Sequence, residues 1–398
     1  KLKPVLSNFT AKLSYSLTAD RGPSSITNSR AVIKADNPWR PSANDKESSL
    51  YIARLANNDL TYEKKHELNF GLDAGFLNNR INFTFDIYTR RNYDLIGATN
   101  TMGVGGEYSK YGNVAKMKSN GVELSLNTVN IKTKDFTWTT DFIYSHMHNE
   151  VTELNTLNRL YDYISGYGFT MPGYPQRSLF SIPFAGLNNE GLPTFYDPDG
   201  NITVTGIDMQ EYDPERLKFL KYEGPADPTD VGSLGNIFRY KNLTLNLFIT
   251  YSFGNVVRLD PVFSSEYSDL TATPKEFNNR WIKPGDEKFT NIPVIASKQQ
   301  LKNIAFLSRA YQSYNYSTAR VAKGDFIRMK EISLAYEFPK TLTQPLHLSN
   351  LSLKLQATNL FLLYADKKLN GQDPEFFNTG GVATPMPKQF TLTLKFGI

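Results

Sequence analysis

The sequence predicts an all-β protein whose strands form a large antiparallel transmembrane β-barrel, and three observations lead to this prediction. Alternation of apolar and polar residues, which is typical of strands, recurs along the 398 residues. The links between the alternating segments are short and long in turn, as in outer-membrane barrels. Many alternating stripes run for about nine to eleven residues, the length that a tilted strand needs to cross a bilayer.

A soluble β-sandwich is the alternative, because one apolar face could also pack inward. Sandwich strands usually run for about five or six residues. Two packed sheets would also need a turn about every 8 to 12 residues. The long stripes and long links therefore favour the barrel.

Composition excludes several classes of protein. The 26 Phe and 23 Tyr favour strands, and the 26 Gly and 21 Pro favour turns. A net charge of +5 without a dense Lys/Arg tract does not indicate nucleic-acid binding. The chain has no cysteine, which excludes disulfides and thiolate metal sites, and no run of 18 apolar residues that would form a transmembrane helix.

Ten segments show the alternation. In chain order they are 9–17, 66–76, 81–87, 121–127, 136–145, 233–240, 243–253, 331–338, 351–358 and 388–398. The segment 233–240 is the least regular of them. Each is predicted to be one strand of the barrel wall.

The last segment has the strictest pattern and runs to the final residue. Its apolar residues occupy every second position and are Phe390, Leu392, Leu394, Phe396 and Ile398. A terminal strand that pairs on both sides to close a barrel would not fray. We therefore predict that this segment is the barrel closure and assembly strand.

The segment 66–76 predicts which face meets which environment. Its even-numbered residues from Leu68 to Phe76 are apolar, whereas Asn69 and Asp73 lie between them. Successive side chains of a strand point to opposite faces. We expect the even-numbered stripe to face lipid and Asn69 and Asp73 to face the lumen.

The links distinguish the two ends of the predicted barrel. Short links lie near 77–80, 130–135, 241–242 and 338–350, and long loops near 18–65, 91–119, 148–230, 254–325 and 361–387. Long loops of outer-membrane barrels are extracellular, and short turns are periplasmic. Counting links places the C-terminus on the periplasmic side.

Several longer stretches resemble the C-terminal part of a SusC-like TonB-dependent outer-membrane transporter of the Bacteroidetes type. They read NGVELSLNTVNIKTKDFTWTTDFIYS from Asn120, VGSLGNIFRYKNLTLNLFITYSFGN from Val231, GDFIRMKEISLAYEFP from Gly324 and TNLFLLY from Thr358. AGLNNEGLPTFYDPDGN from Ala185 and GQDPEF from Gly371 are also similar to this family. The resemblance extends from about residue 60 to the end of the chain.

The resemblance implies a 22-stranded barrel filled by an N-terminal plug, in agreement with the plugged lumens of barrels of this size. We expect residues 1–398 to be the C-terminal portion of that barrel. The plug and about twelve further strands would lie in a second segment outside this chain.

The implied function is active import of oligosaccharides or peptides across the outer membrane. A SusD-like lipoprotein would sit on the loops 148–230 and 254–325, and TonB would act through the N-terminal part that this chain lacks. The alternative function is a passive outer-membrane pore or a structural surface barrel, which needs no plug.

No enzyme, cofactor or metal site is predicted. The nucleophile-elbow, zinc-protease and P-loop motifs are absent. The segment DPDGN, residues 197–201, lacks the spacing of a calcium loop and is interpreted as a turn. His146 and His148 would share a strand face, but a third metal ligand is missing.

Trp281 is a weak candidate for substrate binding. It lies deep in the loop 254–325, where an exposed aromatic ring could stack on a sugar or a peptide. The alternative is that it anchors the loop structurally. The substrate itself stays unassigned.

Overall fold

A computed structural model describes residues 5–22, 30–36, 49–104, 109–156, 158–166, 168–261, 263–267, 275–377 and 387–398. The strands are β1 (Leu6–Asp20), β2 (Val32–Asp36), β3 (Ser49–Arg54), β4 (Glu63–Phe76), β5 (Ile81–Asn100), β6 (Ser109–Lys132), β7 (Phe136–Leu154), β8 (Ser178–Ser181), β9 (Phe184–Leu187), β10 (Pro193–Tyr196), β11 (Ile202–Thr203), β12 (Lys221–Pro225), β13 (Asp230–Tyr240), β14 (Leu243–Phe253), β15 (Val256–Arg258), β16 (Val321–Lys323), β17 (Phe326–Glu337), β18 (Asn350–Ala365) and β19 (Gln389–Gly397).

The helices are few and short. The α-helices are α1 (Leu160–Ile164), α2 (Pro214–Leu217), α3 (Lys298–Asn303), α4 (Leu307–Asn315) and α5 (Lys340–Thr343). Short 3-10 helices span Lys275–Asn279, Asp286–Lys288, Thr318–Arg320, Gln344–Leu346, Lys367–Leu369 and Pro374–Phe376. Among the described residues, no helix combines the length and the apolar character that crossing a membrane requires.

One ten-stranded antiparallel sheet dominates the structure. Its strand order is β1-β4-β5-β6-β7-β13-β14-β17-β18-β19, so neighbours in the sheet follow one another along the chain. These are the ten strands that the alternation predicts. In the described residues β1 pairs only with β4 and β19 only with β18, so the sheet is open at both edges.

The two faces of this sheet differ in polarity, because partners across each ladder share a face. The apolar face carries Leu13, Leu68, Phe70, Leu72, Phe85, Ile87, Val122, Leu124, Phe142, Leu234, Ile249, Leu334, Leu355 and Leu392. The polar face carries Lys12, Asn69, Asp73, Thr84, Asp86, Glu123, Ser125, Asn127, Asp141, Thr244, Ser333, Lys354 and Thr393. The stripe of β19 lies on the apolar face, where Leu392 is 66% exposed.

The predicted loop at 91–119 is wrong for most of its length. β5 runs for 20 residues and β6 for 24, and only 101–108 separates them. The antiparallel pairing of β5 and β6 continues beyond the apolar stripe, and its register shifts near Leu95. Backbone hydrogen bonds hold this extension, and polar side chains there remove the alternation that marks a strand in the sequence.

The other four long links are shorter or more structured than predicted. The link after β1 contains a hairpin of β2 and β3. The links after β7 and β14 contain strands and helices of their own, and β18 extends to Ala365. All five long links nevertheless follow strands at the same end of the sheet.

Short turns join the strands at the opposite end. The β4–β5 turn places Leu77, Asn78 and Asn79 at positive φ, and the β13–β14 turn places Lys241 there. Left-handed residues of this kind let two-residue and slightly longer hairpin links reverse the chain tightly. The sheet therefore has a short-link end and a long-link end.

Candidate functional site

The described residues of the links after β7 and β14 fold together into one compact unit at the long-link end, which we call the loop body (155–156, 158–166, 168–229, 254–261, 263–267 and 275–325). Both links contribute to a single apolar core. Its buried residues are Leu160, Ile164, Ile182, Leu192, Phe195, Ile207, Met209, Leu217, Phe263, Ala296, Leu307, Ala310, Tyr311 and Tyr314. Burial of this size makes the two links a folded element rather than independent loops.

Backbone hydrogen bonds connect the two links directly. The amide of Ile182 donates to the carbonyl of Tyr316 at 3.0 Å, and the amide of Thr318 donates to the carbonyl of Ile182 at 3.1 Å. The amide of Val294 donates to the carbonyl of Gly191 at 3.0 Å. These contacts fix the position of one link relative to the other.

The loop body is also joined to the wall. The amide of Val151 in β7 donates to the carbonyl of Tyr174 at 2.9 Å, and the amide of Gly173 donates back to Val151 at 2.8 Å. β15, which directly follows β14 in the chain, pairs with β16, which directly precedes β17. The orientation of the loop body on the sheet is therefore set by hydrogen bonds at its base.

Arg258, at the end of β15, is a buried cation inside the loop body. Its guanidinium donates to the carbonyl of Phe180, to Ser181 Oγ at 3.2 Å and to the carbonyl of Ser317 at 3.4 Å. Burial lowers the pKa of Arg258 to about 10. The residue binds segments from both links, which is the role that its several donors suit.

Arg320 provides a second buried cation. It forms an ion pair with Glu276, donates to the carbonyl of Asp260 at 3.1 Å and lies 4.8 Å from the ring centroid of Phe263. Since Arg320 is 2% exposed, loss of its carboxylate partner would leave a buried charge without compensation. These contacts hold separate parts of the link after β14 together.

Three tyrosines of α4 and its C-terminal cap belong to the loop body: Tyr311 and Tyr314 lie in its core, and Tyr316 packs against that core. Burial raises the pKa of Tyr311 and Tyr314 well above its usual range, and that of Tyr316 to about 12. Tyr311 Oη donates to the carbonyl of Val294 at 2.6 Å. These phenols are protonated packing groups and take no part in acid–base chemistry near neutral pH.

Trp281 is 7% exposed, and its ring lies against Gly191, which adopts a φ of +75°. A Cβ at Gly191 would collide with the indole. Trp281 Nε1 donates to Glu287 Oε2 at 3.0 Å. The ring is covered by its neighbours in the loop body, and a role of Trp281 in substrate binding stays a prediction.

A cavity of about 520 Å³ lies beside Trp281. Its lining combines the apolar Val294, Ile295 and Ile304 with the amides of Gln299 and Gln300. Gln300 Nε2 is already engaged, donating to the carbonyl of Glu190 at 3.2 Å. The cavity lies where the two links meet.

The link after β18 is held against the wall by Arg328 of β17. Arg328 forms ion pairs with Asp373 and, at 3.2 Å, with Glu375. Leu369 of the same link packs with Val257 in a second, smaller apolar cluster. The GQDPEF stretch therefore supplies the carboxylates that anchor this link, a role that its sequence alone does not reveal.

The polar face of the wall carries paired charges. Lys12 pairs with Asp73, and Arg90 pairs with Glu67 at 2.9 Å. The guanidinium of Arg90 also lies 3.9 Å from the ring centroid of Tyr88, whose ring covers Gly121. Such a surface presents charged and hydrogen-bonding groups to whatever occupies the space on this side.

The two weak metal candidates are engaged in local contacts. Asp197 Oδ1 accepts the amides of Asp199 and Asn201, which is the predicted turn. His146 Nδ1 lies 2.8 Å from Asp230 Oδ1, and His148 lies two residues further along β7. In the described part of the chain no three His, Asp or Glu side chains are grouped to hold a metal ion.

Sequence reasoning missed the buried arginines and the core that the two links share. Their only signal is weak: both links are rich in aromatic residues although they show no strand alternation. Ile182 and Ser317, which are 135 positions apart in the chain, meet in a parallel bridge that no local pattern predicts.

No family model matches the chain. TonB-dependent receptor P3 of Formosa agariphila is 25% identical over 387 residues, covering 92% of this chain and 35% of the relative. TonB-dependent receptor SusC of Bacteroides thetaiotaomicron is 27% identical over 356 residues, covering 85% of this chain and 32% of the relative. The chain thus spans about a third of the length of the curated relatives that it matches.

Among solved structures, the RagAB peptide importer in its open-open state matches with a TM-score of 0.76 and 24% identity, over 99% of this chain and 40% of that one. The fold of the chain is therefore that of part of a large antiparallel β-barrel, and the predicted fold class is confirmed. The resemblance to SusC-like TonB-dependent transporters is confirmed as well.

Proposed function

We propose that this chain is the C-terminal portion of the wall and the extracellular loops of an outer-membrane transporter that imports oligosaccharides or peptides. The observation that supports this most directly is the ten-stranded sheet with one apolar face and all long links at one end. In this arrangement the apolar face meets lipid and the polar face lines the lumen. The C-terminus lies on the periplasmic side.

The open edges of the sheet are part of the proposal. Unpaired backbone groups cost several kcal/mol each in hydrocarbon. We infer that β1 and β19 pair with further strands of the complete wall, which also encloses a plug and contacts TonB. A passive pore made by these ten strands alone would require them to close on each other, and the open sheet does not favour it.

The loop body is proposed as the seat of a SusD-like lipoprotein. Three large apolar side chains of the link after β14 point to such a partner, since Phe289 is 89%, Ile282 67% and Phe306 65% exposed. Exposed aromatic residues on a rigid support are typical anchors of protein interfaces. A prefolded loop body would bind with little loss of conformational entropy.

The test uses the full-length protein in its native membrane. Outer-membrane fractionation and heat-modifiable gel mobility report on the barrel, and a freely soluble protein would contradict it. Replacing Phe289 and Phe306 with Ser should leave both properties unchanged and reduce co-purification of the lipoprotein. Leu346→Ser, at an exposed site of the short-link end, is the matched control. Equal recovery of the lipoprotein from all variants would refute this seat.

A further inference from the structure

Near the long-link end of β1 and β4–β7, the side chains on the apolar face of the sheet change from mostly apolar to charged and aromatic. Cross-strand pairing defines rows of these side chains. Listed from β1 to β7, the first row contains Leu13, Phe70, Ile87, Val122 and His146, the second contains Tyr15, Leu68, Thr89, Asn120 and His148, and the third contains Leu17, His66, Arg91, Lys118 and Glu150. Successive rows on one face are about 7 Å apart. Apolar surface therefore gives way to cationic and aromatic side chains within about 14 Å.

Arg91 is the uncompensated cation of this boundary. Its side chain is exposed and makes no ion pair or hydrogen bond with any residue that the structure describes. Its neighbour Lys118 pairs with Glu150 at 2.9 Å and keeps nearly half of its side chain exposed. The boundary therefore offers a free guanidinium beside a partly available ammonium.

Polar aromatic contacts hold the adjoining side chains in place. His66 Nδ1 lies 2.6 Å from Tyr15 Oη, and its ring meets Tyr93 edge-on at 5.6 Å. Tyrosines at such a level are typical of the interfacial girdle of a membrane barrel. The cations thus lie at the level where headgroups would meet the wall.

A groove of about 380 Å³ lies directly below the cations on the same face. Leu13, Leu68, Phe70, Ile87 and Val122 form most of its apolar wall. Thr89, Asn120 and the two histidines His146 and His148 also line it. The groove is continuous with the apolar stripe of the sheet.

We propose that this groove and the cations above it bind one lipid A headgroup of the outer leaflet, with an acyl chain in the groove and a phosphate against Arg91 and Lys118. The inference rests on the proposed function, because it requires the apolar face to meet lipid and the long-link end to face the cell exterior. Guanidinium groups bind phosphate with two parallel hydrogen bonds. A molecule that is both acylated and anionic matches a groove joined to Arg91 and Lys118, and at the exterior end of an outer-membrane wall that molecule is lipid A.

The experiment measures lipid binding to the detergent-purified, full-length protein by native mass spectrometry. The probes are phosphorylated lipid A, the same lipid A after removal of its phosphates, and phosphatidylglycerol. Arg91→Gln should weaken binding of phosphorylated lipid A about fivefold, the effect of one cation near a membrane surface. Asn120→Phe, which fills the groove, should weaken binding of both forms of lipid A.

Arg239→Gln is the matched control. Arg239 is also an exposed strand arginine without a side-chain partner among the described residues, but it lies on the polar face at the short-link end. Its variant should bind like the unmodified protein. Equal binding by the Arg91 and Arg239 variants, or equal binding of phosphatidylglycerol and phosphorylated lipid A, would overturn the proposal.

Heat-modifiable mobility, measured on every variant, separates this inference from the proposed function. A protein that never inserts into membranes would contradict both. A protein that inserts normally and binds lipid A without regard to phosphate or to Arg91 would contradict the lipid site alone.

Discussion

At the scale of single residues, Leu72 and Asp73 follow each other in β4 but lie on opposite faces of the sheet. Leu72 pairs with Ala11 and Phe85 on the apolar face, and Asp73 forms an ion pair with Lys12 on the polar face. If the apolar face meets lipid, Leu72→Arg near mid-membrane should lower the free energy of unfolding by about 2–4 kcal/mol. Asp73→Asn should change it little, because its ion pair is exposed to solvent. Unfolding in bilayers measures both, and equal losses would contradict the assignment of the faces.

A second residue-scale prediction concerns Asp373. Its carboxylate pairs with Arg328, whose side chain is 7% exposed, so Asp373→Asn would leave a buried charge poorly compensated. We expect the opening free energy of the link 366–377 to fall by about 3–5 kcal/mol. Amide hydrogen exchange in that link measures it. Glu375→Gln is the control with the smaller expected effect, because Glu375 is 40% exposed.

At the scale of elements, the loop body should lose stability at high pH. Tyrosines of an unfolded chain ionise near pH 10. Burial raises the pKa of Tyr311 and Tyr314 above that value and the pKa of Tyr316 to about 12. Their contribution to stability is thus complete below about pH 10 and is lost as the pH rises from about 10 towards 12. The lowered pKa of Arg258 acts in the opposite direction, but it is one group against three.

Near-ultraviolet circular dichroism and tyrosinate absorbance would follow this transition. Tyr314→Phe should remove part of the high-pH loss of stability. Tyr212→Phe, at a 67% exposed position, should leave it unchanged. A loop-body signal that stays constant to pH 12 would contradict the prediction.

At the scale of the whole molecule, the edges of the sheet decide whether the wall is complete. We predict that in the full-length protein the amides of β1 and β19 exchange as slowly as those of the central β5 and β6, because further strands pair with both edges. Fast exchange along β1 and β19 in a membrane-inserted protein would contradict the pairing.

The ten strands, their order along the wall and the face on which each side chain lies could all be predicted from the amino-acid sequence. These properties are local: the two-residue period of a strand assigns the faces, and short turns make sequence neighbours into sheet neighbours. Leu68, Leu72 and Leu392 could therefore be placed on the apolar face from the alternation alone.

The sequence pattern predicted neither the length of β5 and β6 nor the shared core of the loop body, and it did not predict the burial of Arg258, Arg328 and Trp281. Each of these depends on contacts between residues far apart in the chain. Such contacts are made by packing and hydrogen bonds that leave no period in the sequence. The ring of Trp281 is covered in this way by Gly191, which lies 90 positions away in the chain.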